Sequence, residues 1–233
     1  GYKPLKQLHD AIRKTLSFNI GNPITETNIA DIINAIGVAV VSGNVRRSAE
    51  LLVGSNTEEF LDLKNYKKNK ERSKIGWASN NSIDAEIGMD YSDVVKRISD
   101  NAEPGILWIA NMQKYGRMRD TEANFKDKRV IGVNPCAEIT LEDKELCNLV
   151  ELIPSNHTDI EDFKQTIKYA YLFAKTITLL NTNWSETNKV MLRNRRIGLS
   201  ITGITQFIAE RGTKELKQWM EDGYDLIEKY DDV

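Results

Sequence analysis

The segment best equipped for chemistry runs from Asn134 to Glu138 and reads Asn-Pro-Cys-Ala-Glu. It supplies an amide, a thiol and a carboxylate, which are a hydrogen-bonding group, a sulfur centre and a proton acceptor. Pro135 fixes its own φ angle and biases the preceding residue towards extended backbone. Because side chains alternate along extended backbone, we expect Asn134, Cys136 and Glu138 to point the same way. The structural alternative is a small buried cysteine in a proline turn.

Cys147 is the second of the two cysteines in the chain and follows Cys136 by eleven residues. Taken alone, it is typical of a core residue at the end of a strand. The two cysteines lack the Cys-x-x-Cys spacing of a zinc site, and His9 and His157 are isolated in the sequence. No metal site is therefore predicted. Two cysteines also exclude a disulfide-rich scaffold.

The elements that must position these side chains follow from the hydrophobic pattern. Apolar residues at helical spacing predict helices at 5–16, 25–40, 57–66, 90–102, 158–177, 186–193, 203–211 and 214–230. Short apolar runs predict strands at 49–53, 77–83, 106–109 and 197–201. The alternation favours an α/β class with a mostly parallel sheet. Neither an internal repeat nor a Pro/Ser-rich linker is present, so we expect one structural unit.

Composition narrows the function classes. The chain has 233 residues, of which 40% are hydrophobic and 28% charged, as in ordinary globular proteins. The net charge of −2 predicts no direct binding to nucleic acid and no membrane-surface role. No apolar run is long enough to span a membrane and no signal-peptide pattern is present, so the cytoplasm is the expected compartment. The first residue is Gly1 rather than Met, which makes a processed, split or excised piece of a longer protein an alternative.

The segment from Asn134 to Glu138 resembles the active-site finger loop of ribonucleotide reductases. The form with Pro135 before the cysteine resembles the adenosylcobalamin-dependent class, and in particular its triphosphate reductases. Other stretches resemble the same family in the same order, and they lie at 43–50, 77–82, 147–149, 194–198 and 202–204. The resemblance covers about residues 25–210.

The resemblance implies a ten-stranded α/β barrel in which residues 1–233 form a central catalytic segment and a finger loop carries the active-site cysteine. It implies a thiyl radical on Cys136, generated by adenosylcobalamin, that removes the 3′ hydrogen of a ribonucleoside triphosphate. Glu138 would accept the 3′-hydroxyl proton as general base, and Asn134 would orient the ribose. Cys147 would belong to a cysteine pair that supplies electrons and is reduced again through thioredoxin or a similar reductant.

The resemblance also implies a loop that relays the identity of a deoxynucleotide effector to the substrate. Its residues are Gly43, Asn44, Arg46, Arg47 and Ser48. Glycine and asparagine tolerate unusual backbone angles, and arginine binds phosphate or stacks on bases. From the residues alone, a flexible surface loop with two solvated arginines is an equal alternative. On the barrel strand, Asn80 and Asn81 are predicted to face the substrate.

The sequence departs from the pattern of a whole reductase in several respects. It contains no partner for Cys147, no carboxy-terminal cysteines, no second half-barrel and no loop for the substrate phosphates. One alternative is therefore a catalytically incomplete piece of a split or intein-interrupted reductase. Such a piece would act as a nucleotide-binding or assembly module with complementary reductase segments as partners. Another alternative is a reductase with a separate metal-bearing radical subunit, against which Pro135 and residues 77–82 argue by resemblance.

Overall fold

The computed structural model describes residues 1–43, 49–115 and 123–231. They divide into two compact units, Gly1–Thr140 and Leu141–Val233. The sequence predicted one unit because it contains no linker; the boundary instead falls within a short strand, where no Gly- or Pro-rich stretch marks it. Helices and strands alternate along the chain, so the α/β class is confirmed. The assignment of residues 1–233 to one barrel segment stays a prediction.

The first unit contains five helices and four complete strands among its described residues. They are α1 (Tyr2–Phe18), α2 (Glu26–Val41), β1 (Glu50–Gly54), α3 (Glu58–Leu61), β2 (Ser79–Asp84), α4 (Ser92–Asn101), β3 (Gly105–Leu107), α5 (Ile109–Lys114) and β4 (Val130–Val133). Two 3-10 turns, Lys70–Lys74 and Gly76–Ala78, precede β2. The boundary between the units lies in β5 (Thr140–Glu142). The second unit continues with β6 (Leu149–Leu152), a 3-10 turn at Pro154–Asn156, α6 (Ile160–Ile177), α7 (Ser185–Asn194), β7 (Gly198–Ile201) and α8 (Ile204–Asp231).

The strands confirm the predicted parallel arrangement. β1, β2 and β3 form one parallel sheet in that order, with Leu51 opposite Asn80 and Ile83 opposite Ile106. The crossovers that parallel strands require contain α3 before β2 and α4 before β3. β6 pairs in parallel with β7, and β4 and β5 form a further two-stranded sheet. In the part of the chain that the structure describes, these three sheets are separate and do not close a barrel.

The core of the first unit lies against β2. Ile83 of this strand is fully buried, and it belongs to a cluster completed by Ala30, Phe60, Leu61, Leu63 and Val94. Thr25 caps α2 through a reciprocal hydrogen-bond pair with Asn28. The predicted helix at 57–66 is wrong after Leu61. There the Asn65 side chain accepts from the Lys68 backbone, and this local bond favours a turn.

The second unit packs α6 and α8 around aromatic side chains. The helix predicted at 158–177 is confirmed as α6, and its residues Phe163, Ile167, Ala170 and Ala174 are buried. Asp159 caps this helix by accepting hydrogen bonds from the backbone N–H groups of Glu161 and Asp162, so the helix begins at Ile160, two residues later than predicted.

Gly212 divides α8 with a φ of 85°, which confirms the two predicted helical segments. No helix among the described residues has both the length and the apolar character needed to cross a membrane.

Candidate active site

The predicted reactive segment forms a tight loop between β4 and β5, which we call the Cys136 loop (residues 134–139). Its backbone closes through two hydrogen bonds, from Ala137 N to Asn134 O at 2.8 Å and from Asn134 N to Ile139 O at 3.1 Å. Ala137 has a φ of 63°, in the left-handed region. The first bond makes residues 134–137 a β-turn with Asn134 in the first position and Pro135 in the second, where these residue types are favoured.

The expectation of an extended segment with alternating side chains is therefore wrong. Proline does fix φ, but the value that it fixes also suits the second position of a turn, and the Asn-Pro pair was a signal for that turn. Cys136 occupies the third position and is exposed. This exposure contradicts the alternative of a small buried core cysteine. The thiol stands at the tip of a loop whose backbone is internally closed.

Asn134 and Glu138 are brought together by loop closure. Asn134 is 6% exposed, and its side chain is bonded on both sides. Its Oδ1 accepts from Ile139 N at 3.0 Å, while its Nδ2 donates to Glu138 Oε1 at 2.6 Å. The carboxylate of Glu138 remains exposed. The loop thus presents a hydrogen-bonded carboxylate and a thiol two residues apart, and that these two groups act together stays a prediction.

The two asparagines of β2 have different surroundings. Asn80 is exposed, and its Nδ2 donates to Pro135 O at 2.9 Å, so it lies against the Cys136 loop. Asn81 is buried, and its Oδ1 accepts from Ser79 Oγ at 2.9 Å. That both face the substrate stays a prediction. The structure adds that Asn80 contacts the backbone of the reactive loop.

Lys64 is a residue that the sequence reasoning missed. Its ammonium group donates to the carbonyl oxygens of Gly76 at 2.6 Å and Ser79 at 2.5 Å, and it lies 3.3 Å from Glu103 Oε2. The side chain is 11% exposed. Burial and the nearby Glu103 carboxylate raise the pKa of Tyr66. The hydrogen bonds from Lys64 to Gly76 and Ser79 hold the start of β2, one residue before Asn80. Lys64 lies in a lysine-rich stretch of the sequence, so its residue type did not distinguish it from the exposed lysines that follow.

Glu103 contributes a second contact to the start of β2. The Asn81 N–H donates to Glu103 Oε2 at 3.3 Å, and the same oxygen faces Lys64. The carboxylate therefore links the lysine to the strand backbone. The position of Asn80 depends on side chains from two segments that flank β2 in sequence.

The predicted effector loop lies mostly outside the described residues. Gly43 is exposed and follows the Ser42 cap of α2, whereas Asn44, Arg46, Arg47 and Ser48 belong to the part that the structure does not describe. Immediately after it, burial raises the pKa of Glu50, and a hydrogen bond from the Gly37 backbone partly offsets this. The role of the loop in effector binding stays a prediction.

Cys147 lies in the second unit and is partly buried, and neither it nor Cys136 is in a disulfide. Its segment is attached to α7 and β7. Leu146 N contacts the Met191 sulfur at 3.3 Å, and Asn148 O accepts from Gly198 N at 2.9 Å. Among residues 1–43, 49–115 and 123–231 there is no group of three His, Cys, Asp or Glu side chains that could hold a metal ion.

Comparison with known proteins places this geometry in a family context. A family model described as ribonucleotide reductase, barrel domain, matches residues 63–214. A Dictyostelium discoideum protein named probable adenosylcobalamin-dependent ribonucleoside-triphosphate reductase is 54% identical to this chain. The match covers the whole chain and 31% of that protein. The Euglena gracilis adenosylcobalamin-dependent ribonucleoside-triphosphate reductase is 53% identical to this chain. That match covers 99% of the chain and 32% of the Euglena gracilis protein.

A solved structure also matches. The crystal structure of a B12-dependent (class II) ribonucleotide reductase is similar with a TM-score of 0.76 and 32% sequence identity. The similarity covers 91% of this chain and 29% of that one. The chain thus spans about a third of the length of the curated relatives named above.

Proposed function

This chain belongs to the ribonucleotide reductase family, and we propose that it forms the part of an adenosylcobalamin-dependent reductase that reduces ribonucleoside triphosphates. The observation that carries the proposal is the Cys136 loop. It holds an exposed thiol at the tip of a closed turn, two residues before a carboxylate that accepts a hydrogen bond from the buried amide of Asn134. Among the relatives, two that match essentially the whole chain are named for this reaction.

The chain's own residues act on the ribose. Cys136, as a thiyl radical, removes the 3′ hydrogen atom of the substrate. Glu138 accepts the 3′-hydroxyl proton as general base, and its hydrogen bond to Asn134 holds the accepting carboxylate in place. The Asn134 amide group carries a second N–H, and we assign to it the orientation of a ribose hydroxyl.

The reaction needs two electrons besides the radical. The 2′-hydroxyl leaves as water, and a pair of thiols that includes Cys147 supplies two electrons and two protons as it closes to a disulfide. Cys136 then returns a hydrogen atom to the 3′ carbon. The sum is ribonucleotide plus dithiol giving deoxyribonucleotide, disulfide and water. A dithiol reductant such as thioredoxin reopens the disulfide.

One atom of this chain suits the chemistry of the cofactor, and it is the sulfur of Cys136. Bound adenosylcobalamin supplies the radical that converts a thiol to a thiyl, and the exposed Cys136 sulfur is a hydrogen donor that stands clear of the protein core. Cys136 is therefore the residue that this chain contributes towards the cofactor.

The test uses a full-length reductase that carries this chain, such as the Euglena gracilis enzyme in which the chain replaces the segment that it matches (the chimera). Deoxynucleotide formation is measured with and without adenosylcobalamin. Product only with the cofactor, and none from the Cys136→Ser variant, is the expected result. Cys147→Ser should retain hydrogen exchange between cofactor and solvent but lose thioredoxin-driven turnover. Residual turnover in Cys136→Ser would refute the assignment.

A second candidate function concerns the chain on its own. The described strands do not close a barrel, and the chain spans about a third of its relatives. Alone, it would act as a nucleotide-binding or assembly module that needs complementary reductase segments. Activity that appears only when those segments are added back would support this. The alternative with a separate radical subunit has no support from the relatives, which are named as adenosylcobalamin-dependent.

The remaining partners come from the resemblance alone. They are a deoxynucleotide effector at the loop that begins with Gly43 and thioredoxin as reductant, and the cytoplasm is the expected location. An effector should change the preference of the chimera among the ribonucleoside triphosphates. Unchanged preference with every deoxynucleotide added would contradict the role of this loop.

A further inference from the structure

Glu145 is the most deeply buried charged side chain near Cys147. Its side chain has no solvent-exposed area, and three donors surround the carboxylate. Oε1 accepts from Arg196 Nε at 3.1 Å and from Asn194 Nδ2 at 3.0 Å, and Oε2 accepts from Glu142 N at 2.8 Å. A buried carboxylate is tolerated only when it is paired and hydrogen-bonded in this way.

Two of the three donors come from the turn that joins α7 to β7. Asn194 is the last residue of α7, and Arg196 lies two residues before β7. Arg195 between them has a φ of 51°, so the backbone reverses at this point. The Asn-Arg-Arg sequence belongs to the stretch 194–198, which resembles the family but has no role assigned to it above. In the structure, its first and third side chains converge on Glu145.

The same turn also holds the start of the Glu145 segment. Glu142 accepts from Arg193 at 2.5 Å and from Asn194 Nδ2 at 3.1 Å. Glu145 N donates back to Glu142 O at 3.1 Å, with Lys144 in the left-handed region at a φ of 63°. Residues 142–145 therefore form a compact turn that is attached to one end of α7.

Cys147 is flanked by attachments on both sides. Glu145 is held by the ion pair, Leu146 N by the sulfur of Met191, and Asn148 O by Gly198 N. Three of the four residues from 145 to 148 thus contact α7, β7 or the turn between them. This arrangement sets where the backbone of Cys147 lies within the second unit.

We propose that Glu145 is a positioning residue that holds Cys147 for thiol–disulfide exchange by pairing with Arg196. The proposal rests on the proposed function, since it assigns Glu145 to the electron-supplying half of that reaction. Buried ion pairs add little to stability compared with apolar residues of the same size, whereas they specify one arrangement. The exchange itself requires that a thiolate approach a disulfide sulfur in line, so a displaced sulfur slows it.

The test compares two activities of the chimera. Glu145→Gln keeps the shape of the side chain but removes its charge. We expect thioredoxin-driven turnover to fall between about 10- and 100-fold, as misplacement of a reacting group does. Hydrogen exchange between cofactor and solvent, which depends on Cys136, should stay within about twofold. Equal loss of both activities would show a merely structural role and overturn the proposal, and so would unchanged turnover.

Lys144→Ala is the matched control. Lys144 precedes Glu145 and forms an ion pair with Glu186 at 2.7 Å, with side chains 46% and 68% exposed. Exposed ion pairs of this kind contribute little to stability. Thioredoxin-driven turnover and cofactor hydrogen exchange should therefore both match those of the parent chimera. If Glu145→Gln fails to fold, Asn194→Ala removes one donor and leaves the ion pair. A smaller loss confined to thioredoxin-driven turnover is then expected, and an unchanged rate overturns the proposal.

A double variant tests the pair directly. Glu145→Gln combined with Arg196→Gln removes both charges of the pair, so the double variant measures how strongly the two residues are coupled. Turnover should recover part of the loss seen in Glu145→Gln alone. Additive losses would contradict the pairing.

Different results would refute the proposed function and the role of Glu145. Turnover that persists in Cys136→Ser refutes the proposed function itself. Inactive Cys136→Ser and Cys147→Ser variants beside a fully active Glu145→Gln variant refute only the role of Glu145.

Discussion

Asn80 donates its side-chain amide to the backbone carbonyl of Pro135 at 2.9 Å, so strand β2 is bonded to the loop that presents Cys136. The two residues are 55 positions apart in sequence. One residue before Asn80, the carbonyl of Ser79 accepts from the partly buried ammonium group of Lys64 at 2.5 Å. The position of the thiol therefore depends on β2 as well as on the closure of its own loop.

Replacement of Asn80 should lower the rate more than it weakens substrate binding. Asn80→Ala removes one hydrogen bond, worth about 0.5–1.5 kcal/mol, which corresponds to about a 2- to 12-fold lower kcat in the chimera. Asn80→Asp should be worse, because a carboxylate would face the Pro135 carbonyl. Steady-state kinetics with a ribonucleoside triphosphate separates kcat from KM. A raised KM with unchanged kcat would mean instead that Asn80 contacts the substrate.

Asn134→Asp should shift the pH dependence of the reaction. It places a second carboxylate where the Asn134 amide now donates to Glu138 Oε1 at 2.6 Å. Two carboxylates at this distance cannot both ionise freely, so a general base at Glu138 is protonated at higher pH. We expect the acidic limb of kcat/KM in the chimera to move upward by about one pH unit or more. Asn134→Ser, which adds no charge, is the control and should lower the rate without moving the limb.

Ala137 should tolerate glycine but not a branched side chain. Its φ of 63° lies in the left-handed region, which costs a non-glycine residue about 1–2 kcal/mol. Ala137→Gly relieves this cost and should leave turnover of the chimera near that of the parent, whereas Ala137→Val should reduce it at least about tenfold. Turnover assays of both variants check this. Equal activity in the two variants would show that the loop does not need this backbone conformation.

Asp62 should make the first unit sensitive to acid. Burial opposes its ionisation, but hydrogen bonds from Lys68 and Arg97 outweigh that effect and lower the pKa of Asp62. A lowered folded-state pKa contributes stability above the unfolded value of about 3.9, and this contribution is lost as the pH falls below it. Asp62→Asn should therefore destabilise the unit by about 1–3 kcal/mol at neutral pH and by less in acid.

Hydrogen exchange in α4, measured in the chimera with and without Asp62→Asn at each pH, reports this difference. Asp100→Asn on the same helix is the control, since its pair with Lys67 is at 3.5 Å and its side chain is 64% exposed. It should have almost no effect. A difference for Asp62→Asn that grows as the pH falls would contradict the expected sign.

Local sequence patterns predicted much of what depends on neighbouring residues. The helical spacing of apolar residues indicated α1, α2 and the two parts of α8, and alternation of helices with short apolar runs indicated parallel strands. The residue types at 134–138 indicated the reactive segment and, by resemblance, the family. These features can be predicted from the sequence because side-chain periodicity and residue identity are properties of a short stretch of chain.

Contacts between distant segments could be found only in the tertiary structure. The proline that suggested extended backbone instead sits in a turn, and the closure of this turn through Asn134 selects that conformation. Lys64 and Glu145 looked like ordinary surface charges until packing enclosed them.

The sequence by itself determined which groups could react, because residue type decides chemistry. The tertiary structure alone decided which side chains hold those groups, because a hydrogen bond across 55 residues, such as that between Asn80 and Pro135, depends on how the elements pack rather than on any local preference.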